Sequence, residues 1–226
     1  MVIYSEAQDF TLKVMDAVLL NIVNDVPVVT RYWTMGCIAV SALVRFNMIN
    51  SIKMLYSYEI VFQKGHYERI LYSLFDYGLF NWMSLMNIVI AANHLSFLEN
   101  SFSLKRRYVW ILFLTLCSLL GMSYFGQPVA SLGVLLQENL SYYYLKKNNE
   151  QMNIRLFGNI AVSPLLVPFY LNCLLLFVYH MDVVEVAMFF LPGHIMFYMD
   201  DMLKRIYGVD LTKTPYDWWL GLKETQ

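Results

Sequence analysis

The sequence predicts an all-α, polytopic membrane protein with six transmembrane helices, and three observations predict it. Of the 226 residues, 58% are hydrophobic and only 15% are charged, a balance that a water-soluble domain of this size would expose as large apolar patches. The apolar residues gather into six stretches close to the roughly 20 residues that a bilayer core requires. Basic clusters and polar loops separate those stretches, as they do where a chain repeatedly leaves and re-enters lipid.

Residues 1–25 are set apart from the rest. Phe10, Val14, Val18 and Ile22 alternate with Asp9, Lys13, Asp16, Asn21 and Asp25, the pattern of a short amphipathic helix lying at an interface and too polar to span. Met1 to Lys13 lacks the basic, then apolar, then small-residue order of a cleaved signal peptide, so the first span is expected to serve as the targeting signal. Residues 26–203 form the six-helix membrane domain and residues 204–226 a short tail.

The first span covers about 32–49, opened by Pro27 and Arg31 and closed by Arg45 and Asn50. A semi-polar, tyrosine-rich loop follows over 51–73, expected to be partly helical. The second span covers about 77–98 and ends before Lys105, Arg106 and Arg107. The third runs over about 108–125, before Gly126 and Pro128. The fourth, about 129–145, is interrupted by Gln137, Glu138 and Asn139 and closed by Lys146 and Lys147. The fifth, about 165–180, and the sixth, about 183–199, form an antiparallel pair joined at Met181 and Asp182. In the tail, Tyr216, Trp218 and Trp219 are available as interfacial anchors.

Six spans place both termini on one side, and basic residues choose that side. With cytosolic termini the cytosolic segments hold 12 basic residues, against Arg45, Lys53, Lys64 and Arg69 in the first loop on the opposite side. Sixteen basic and seventeen acidic residues nearly cancel overall, which gives no global attraction to nucleic acid. Cys37, Cys117 and Cys173 fall in separate apolar stretches, so neither a disulfide framework nor a metal site is expected. No cofactor is expected. The sequon at Asn139 lies inside a span, and no glycan is expected on it.

Polar groups inside a span are costly unless they face protein or water, which makes them the pointers to function. On the second span Asn81, Ser84, Asn87 and His94 fall within an arc of roughly 140° at about 100° per residue, with Asn93 beside them. On the fourth, Glu138 is flanked by Gln137 and Asn139. On the sixth, His194, Tyr198 and Asp201 align at i, i+4 and i+7, and Asp200 and Asp201 sit at a helix end where solvation alone could account for them. Hydrogen bonding between helices is one reading of these groups. A vestibule open to water on one side is the other.

From about Met15 to Asp217 the chain resembles the Derlins, most closely their fungal branch. The residues that carry the resemblance are Pro27-Val28-Val29-Thr30-Arg31, the passage from Arg69 to Gly78, and Met152 to Gly158. Pro164 with Pro168, Gly193-His194, Tyr198 to Asp201, and Lys213-Thr214-Pro215 complete it. Ordered matches at family-like spacing are far more specific than any one alone. The chain departs from the family in reading Glu68-Arg69 where many Derlins have a luminal Trp-Arg pair. Phe189 likewise stands at the first glycine of the G-x-x-x-G that ends at Gly193.

The resemblance implies a rhomboid-like fold without the rhomboid catalytic dyad, hence no enzyme activity. Ser131 lies between Ala130 and Leu132 rather than glycines, and Val186 stands at the histidine position. It further implies a non-catalytic component of endoplasmic-reticulum-associated degradation. Such a protein assists retrotranslocation of misfolded luminal proteins and glycoproteins to the cytosol within a membrane ubiquitin-ligase complex. The implied partners are the RING ligase, its scaffold protein, a luminal substrate receptor and the lipid bilayer, with self-association left open and nucleic acid excluded. The tail lacks the glycine-rich motif with which other Derlins recruit a cytosolic AAA ATPase, so direct ATPase docking is not expected. On this reading Asn81, Ser84, Asn87, Asn93, His94 and Glu138 line the substrate path. Glu68 and Arg69 sit in the luminal loop, and Gly193, His194, Asp200 and Asp201 form a structural motif. The second and fifth spans are the lateral gate by analogy with rhomboids. An active rhomboid-type serine protease using Ser131 and His194, and a small-molecule or lipid transporter, are the alternatives.

Overall fold

A computed structural model describes residues 26–128, 130–148, 154–156, 160–162 and 166–224; the expected helix over 9–25 lies outside them. In chain order the helices are α1 (Val28–Arg45), α2 (Glu68–Leu74), α3 (Trp82–Ser101), α4 (Lys105–Met122), α5 (Leu132–Lys147), α6 (Leu166–Phe177), α7 (Val183–Phe197), α8 (Leu203–Tyr207) and α9 (Pro215–Glu224). Each of the six expected spans corresponds to one of α1, α3, α4, α5, α6 and α7. One departure from an all-helical chain is a small antiparallel ladder between α5 and α6. In it β1 (Ile154–Leu156) pairs with β2 (Ile160–Val162), Ile154 opposite Val162. Among the described residues, one continuous helix is long and apolar enough to cross a membrane by length and composition: Val183–Tyr207, where α7 and α8 join through a π turn at Tyr198–Met202.

The bounds of the helices shift for identifiable reasons. α1 starts at Val28, earlier than expected, because a carboxylate from another helix caps it. Pro27 at its N-cap has no side-chain hydrogen bond to offer, and Glu99 near the end of α3 supplies one instead. Glu99 accepts the N–H groups of Val29 at 3.2 Å and Thr30 at 2.8 Å and the Thr30 hydroxyl at 2.8 Å. A negative group at a helix N-terminus satisfies orphan donors and opposes the macrodipole. α3 starts later than expected, at Trp82, because the Asn81 side chain caps it by accepting the Ser84 N–H at 2.8 Å. Asn47, at φ 57, turns the chain out of α1.

α5 is not broken at Gln137, Glu138 and Asn139, contrary to the sequence reading, but runs unbroken for 16 residues. Its polar residues are spent on neighbours. Gln137 accepts the Tyr77 hydroxyl at 3.0 Å, and fully buried Asn139 bonds the backbone of α7. Small residues let the backbones approach: a Cβ on Gly133 would stand 2.2 Å from the Leu74 carbonyl oxygen, and one on Gly193 would stand 2.2 Å from that of Asn139. The core between α3, α4, α5 and α7 is built on Leu98, Tyr108, Ile111, Leu135, Leu140, Tyr143 and Met188.

Contacts at the two ends fix the helix directions. At one end Glu99 joins the close of α3 to the start of α1, and Asp200 joins the close of α7 to Arg107 at the start of α4 and Lys147 at the close of α5. At the other end the Tyr56 hydroxyl hydrogen-bonds Ser123 after α4 at 2.7 Å, and Ser73 of α2 accepts the Leu132 N–H of α5 at 3.1 Å. Pro27 and the C-terminal tail therefore leave the bundle at the same end. The loop over 51–73 is partly helical, as expected, with a 3-10 turn at Ser51–Met54 and a π turn at Glu59–Gln63 before α2. Arg69 holds it by donating to the Ile52 and Leu55 carbonyls at 3.2 and 3.1 Å.

Candidate functional site

Two cavities meet along α5. The more polar one, about 520 Å³, opens between α3, α5 and the loop that precedes α3, and Asp76, Asn87, Ser131, Gln137 and Glu138 are among its lining residues. The second, about 340 Å³ and largely apolar, opens between α5, α6 and α7 and is lined by Val134, Tyr142, Leu145, Leu175, Phe189 and Phe190, among others. Glu138 and Val134 line both. The carboxylate therefore stands where the more polar cavity gives way to the apolar one.

The loop that closes the polar cavity is built by local chemistry. The Asp76 carboxylate accepts the Gly78 N–H at 2.9 Å, and Gly78 adopts φ 89, a conformation that glycine reaches without a Cβ penalty. Tyr77 reaches over to α5, donating to Gly133 O at 3.2 Å and Gln137 at 3.0 Å, and packs edge-on against Trp33. Burial pushes the Asp76 carboxyl above its ordinary range, and its bond from Gly78 opposes that rise.

Of the six residues expected along the substrate path, Asn87 and Glu138 line the polar cavity. His94 lies in electrostatic range of Glu138 and is exposed, as is Asn93. Asn81 is the cap of α3, and Ser84 is buried at 4% exposure with its hydroxyl unpaired among the described residues. The sequence reading missed Asp76 and Gln137, which come from a loop and from a position taken for a helix interruption. Glu68 is half-paired with His66 at 3.2 Å on the exposed face of the first loop.

Ser131 is the N-cap of α5. Its hydroxyl donates to Asp76 O at 2.8 Å and accepts the Val134 N–H at 3.2 Å. His194 pairs instead with Tyr142, Nδ1 to hydroxyl 3.0 Å. Tyr142 lies eleven residues along α5 from Ser131, about 16 Å at 1.5 Å per residue, so serine and histidine sit at different levels of the bundle. The geometry does not assemble a nucleophile and base. Val186, at the position where a rhomboid would carry histidine, is buried in the core.

Asp200 is not solvated, as its place at a helix end suggested, but is buried at 3% exposure. Its Oδ1 accepts from Arg107 at 2.6 Å and Thr212 at 2.7 Å, and its Oδ2 accepts from Lys147 at 2.7 Å and Tyr143 at 2.6 Å. Arg107 also reaches Asp210 at 2.9 Å. Two cations and two anions from four segments thus neutralise one another, the condition under which buried charge is tolerated. Asp201 makes an exposed-side pair with Arg205 at 2.9 Å. Gly193 is the close-approach residue on α7.

The family model of the Der1-like family matches residues 26–216. The chain is 56% identical to degradation in the endoplasmic reticulum protein 1 of Saccharomyces cerevisiae over 205 residues, covering 91% of this chain and 97% of that protein. It is 20% identical to a probable derlin-2 homolog of Dictyostelium discoideum over 200 residues, 85% of this chain and 78% of the other. The family match covers α1 to α8, the first loop and the cavities described above, and these relationships place this chain in the Der1-like family, the Derlins.

Proposed function

We propose that this protein is a non-catalytic membrane component of endoplasmic-reticulum-associated degradation, and that it forms part of the path by which misfolded luminal proteins reach the cytosol. It acts within a membrane ubiquitin-ligase complex, alongside the ligase, its scaffold and a luminal substrate receptor. On this reading α1, α3, α4, α5, α6 and α7 are six transmembrane helices of a rhomboid-like fold, with both termini in the cytosol. The name of the yeast relative and the family membership support the process.

The observation that carries the mechanism is the polar cavity between α3 and α5 with Glu138 at its inner edge. A translocating chain is stopped by hydrocarbon, because each bare peptide group costs several kcal/mol there. A groove lined by Asp76, Asn87, Gln137 and Glu138 offers hydration and hydrogen bonds instead. The helix that lines both cavities is also short: α5 has 16 residues, about 24 Å long at 1.5 Å per residue, against a hydrocarbon core of about 30 Å. Short helices thin the bilayer next to them, so less hydrocarbon separates the groove from water on the far side.

Site-specific photocrosslinking from Asn87 and Glu138, in cells accumulating a misfolded luminal glycoprotein, tests this. Val109, exposed on the outer face of α4, is the control. Crosslinks to the client from Asn87 and Glu138, and none from Val109, are the expected result. Crosslinks only to neighbouring helices would reduce these residues to packing and sink the proposed path.

A further inference from the structure

The chain beyond α7 carries an apolar surface that the bundle does not cover. Ile206, Tyr207, Val209 and Leu211 are 42 to 69% exposed, and Tyr216, Trp218, Trp219 and Leu220 are 38 to 62% exposed. In water such a run would be an aggregation-prone patch. It is continuous with the helix Val183–Tyr207, which is apolar and long enough to cross a membrane. Gly208, at φ 69, ends that helix and turns the chain aside, so the tail runs beside the bundle rather than further from it.

The tail is held there by polar contacts on its other side. Asp210 and Thr212 join the buried cluster around Asp200 and Arg107. Thr214 caps α9 by accepting the Asp217 N–H at 3.2 Å. Asp217 pairs with Arg106 at 2.6 Å, and the Arg106 guanidinium lies 5.0 Å from the centre of the Tyr216 ring. At about 100° per residue, Trp218, Trp219, Tyr216 and Leu220 occupy an arc of roughly 200° that excludes Asp217. Asp217 is thus turned to the first residues of α4 with Tyr216 beside it on Arg106, while Trp218, Trp219 and Leu220 are turned away.

We infer that α9 is an interfacial helix: its Trp218 and Trp219 face enters the headgroup region of the bilayer beside the ends of α4 and α7, while Asp217 ties its other face to Arg106. Tryptophan and tyrosine favour that region because their rings are apolar and their N–H or O–H stays wet. Lys105 and Arg106, at the level where α4 begins, set the height of the helix at the membrane boundary. Lipid is the occupant because Ile206, Tyr207, Val209 and Leu211 carry exposed apolar surface on from the end of the membrane-crossing helix, and Tyr216, Trp218, Trp219 and Leu220 resume it after the polar turn at 212–214. The inference rests on the reading of this chain as a membrane protein.

The test uses the full-length chain reconstituted alone in phosphatidylcholine vesicles. Its native cysteines are replaced by alanine, and an environment-sensitive fluorophore is placed at Trp219→Cys or, separately, Leu220→Cys. Lys213→Cys serves as the aqueous control and Val109→Cys as the lipid-exposed one. The expected result is quenching of the 219 and 220 labels by lipids spin-labelled near the headgroup, with shielding from aqueous iodide, and the reverse at 213. Iodide access at 219 and 220 without lipid quenching, while 109 is quenched by lipid, would overturn the interfacial helix and leave the membrane reading standing. Absence of lipid quenching at 109 would sink the membrane reading itself. Labels open in vesicles but shielded in native microsomes would show a protein cover and also overturn the inference. Should the cysteine-free chain not fold, photoactivatable phosphatidylcholine on the unmodified protein gives the same decision by whether adducts map to 216–220.

Discussion

Gly193 donates its backbone N–H to the Asn139 side-chain oxygen at 2.8 Å, while the amide nitrogen of Asn139 donates to Met188 O at 2.7 Å and to Leu135 O at 2.8 Å. Pro192 inside α7 explains the arrangement. A proline has no N–H, so the Met188 carbonyl four residues before it loses its helical donor. The side chain of Asn139 takes over that carbonyl and the neighbouring Gly193 N–H, and α5 thereby repairs a defect in α7. The same engagement leaves the sequon at Asn139 with a buried, fully used amide.

Replacing Asn139 by alanine leaves the Met188 carbonyl without the amide that stands in for its helical donor and takes the side-chain acceptor away from the Gly193 N–H. A single hydrogen bond between membrane helices is worth only about 0.6 to 1.7 kcal/mol. Here one buried side chain makes bonds to two backbone groups of α7, one of them the carbonyl that Pro192 deprives of its donor, so Asn139→Ala is expected to cost about 2 to 4 kcal/mol. Thermal unfolding of the purified protein in detergent checks this, with Asn148→Ala at the end of α5 as a mild comparison. Equal melting temperatures for the two variants would remove the repair argument.

Gly193→Ala should destabilise through sterics alone. The added Cβ would meet the Asn139 carbonyl at 2.2 Å, backbone that cannot step aside without parting α5 from α7. Gly121→Ala meets nothing within 4 Å and should be neutral or slightly stabilising, since alanine favours a helix by about 1 kcal/mol over glycine. Steady-state abundance of the two variants in cells, read side by side, distinguishes close packing from a general intolerance of substitution.

These two predictions also mark what the sequence could and could not convey. Apolar runs identify the six main helices because lipid or core burial imposes one composition along a whole helix. Gly193 is marked by its motif, but Phe189 at the motif's first position argues for a looser or differently packed approach, and the observed close contact with Asn139 is not legible, because a glycine says nothing about which backbone comes near. Asn87 and Glu138 are found by the rule that polar groups within spans are costly. Asp76 and Gln137 share their cavity yet escape that rule, one being in a loop and the other resembling a break in α5. Pro27 at the start of α1 carries a clue that was there to use: a helix whose N-cap offers no side chain needs a foreign acceptor, and Glu99 is that acceptor. The long-range pairs around Asp200 left no such trace, since Arg107 and Lys147 read equally well as charges at the edge of a membrane.

Asp200 and Asp201 are neighbours with opposite fates. Asp200→Ala strands Arg107 and Lys147 against a buried site, and breaking a buried pair by removing one partner costs about 3 to 5 kcal/mol. Asp201→Ala removes an i, i+4 pair with Arg205, whose guanidinium is exposed while Asp201 is partly buried, worth about 0.3 to 0.5 kcal/mol. The expected pattern is loss of folded protein in the first variant and near wild-type levels in the second, assessed by protease resistance in microsomes. Comparable behaviour of both would mean that the buried cluster does not hold α4, α5 and α7 together.

Glu99→Ala should loosen the start of α1 without unfolding the bundle. Two backbone donors and the Thr30 hydroxyl lose their acceptor, and loss of a helix cap costs about 0.5 to 2 kcal/mol. Hydrogen exchange in residues 28–34 should quicken in the variant, while that of 85–98 on α3 stays unchanged. Uniform quickening across both segments would argue against a local capping role.

Ser131 separates a structural serine from a chemical one. Its hydroxyl proton goes to the Asp76 carbonyl and its oxygen receives the Val134 N–H, while His194 is engaged with Tyr142 about 16 Å further along α5 by the rise of 1.5 Å per residue. Ser131→Ala therefore removes an N-cap, at a cost of about 1 kcal/mol, and a clasp between α5 and the loop before α3. Ser131→Asn can still cap the helix. Degradation of a misfolded luminal client should continue in Ser131→Ala, somewhat slowed in proportion to protein level, return toward wild type in Ser131→Asn, and be unaffected by His194→Gln. A protease would give another order, since asparagine cannot replace a serine nucleophile and glutamine cannot replace a histidine base. Complete arrest in all three variants, at normal protein level, would reinstate the catalytic reading.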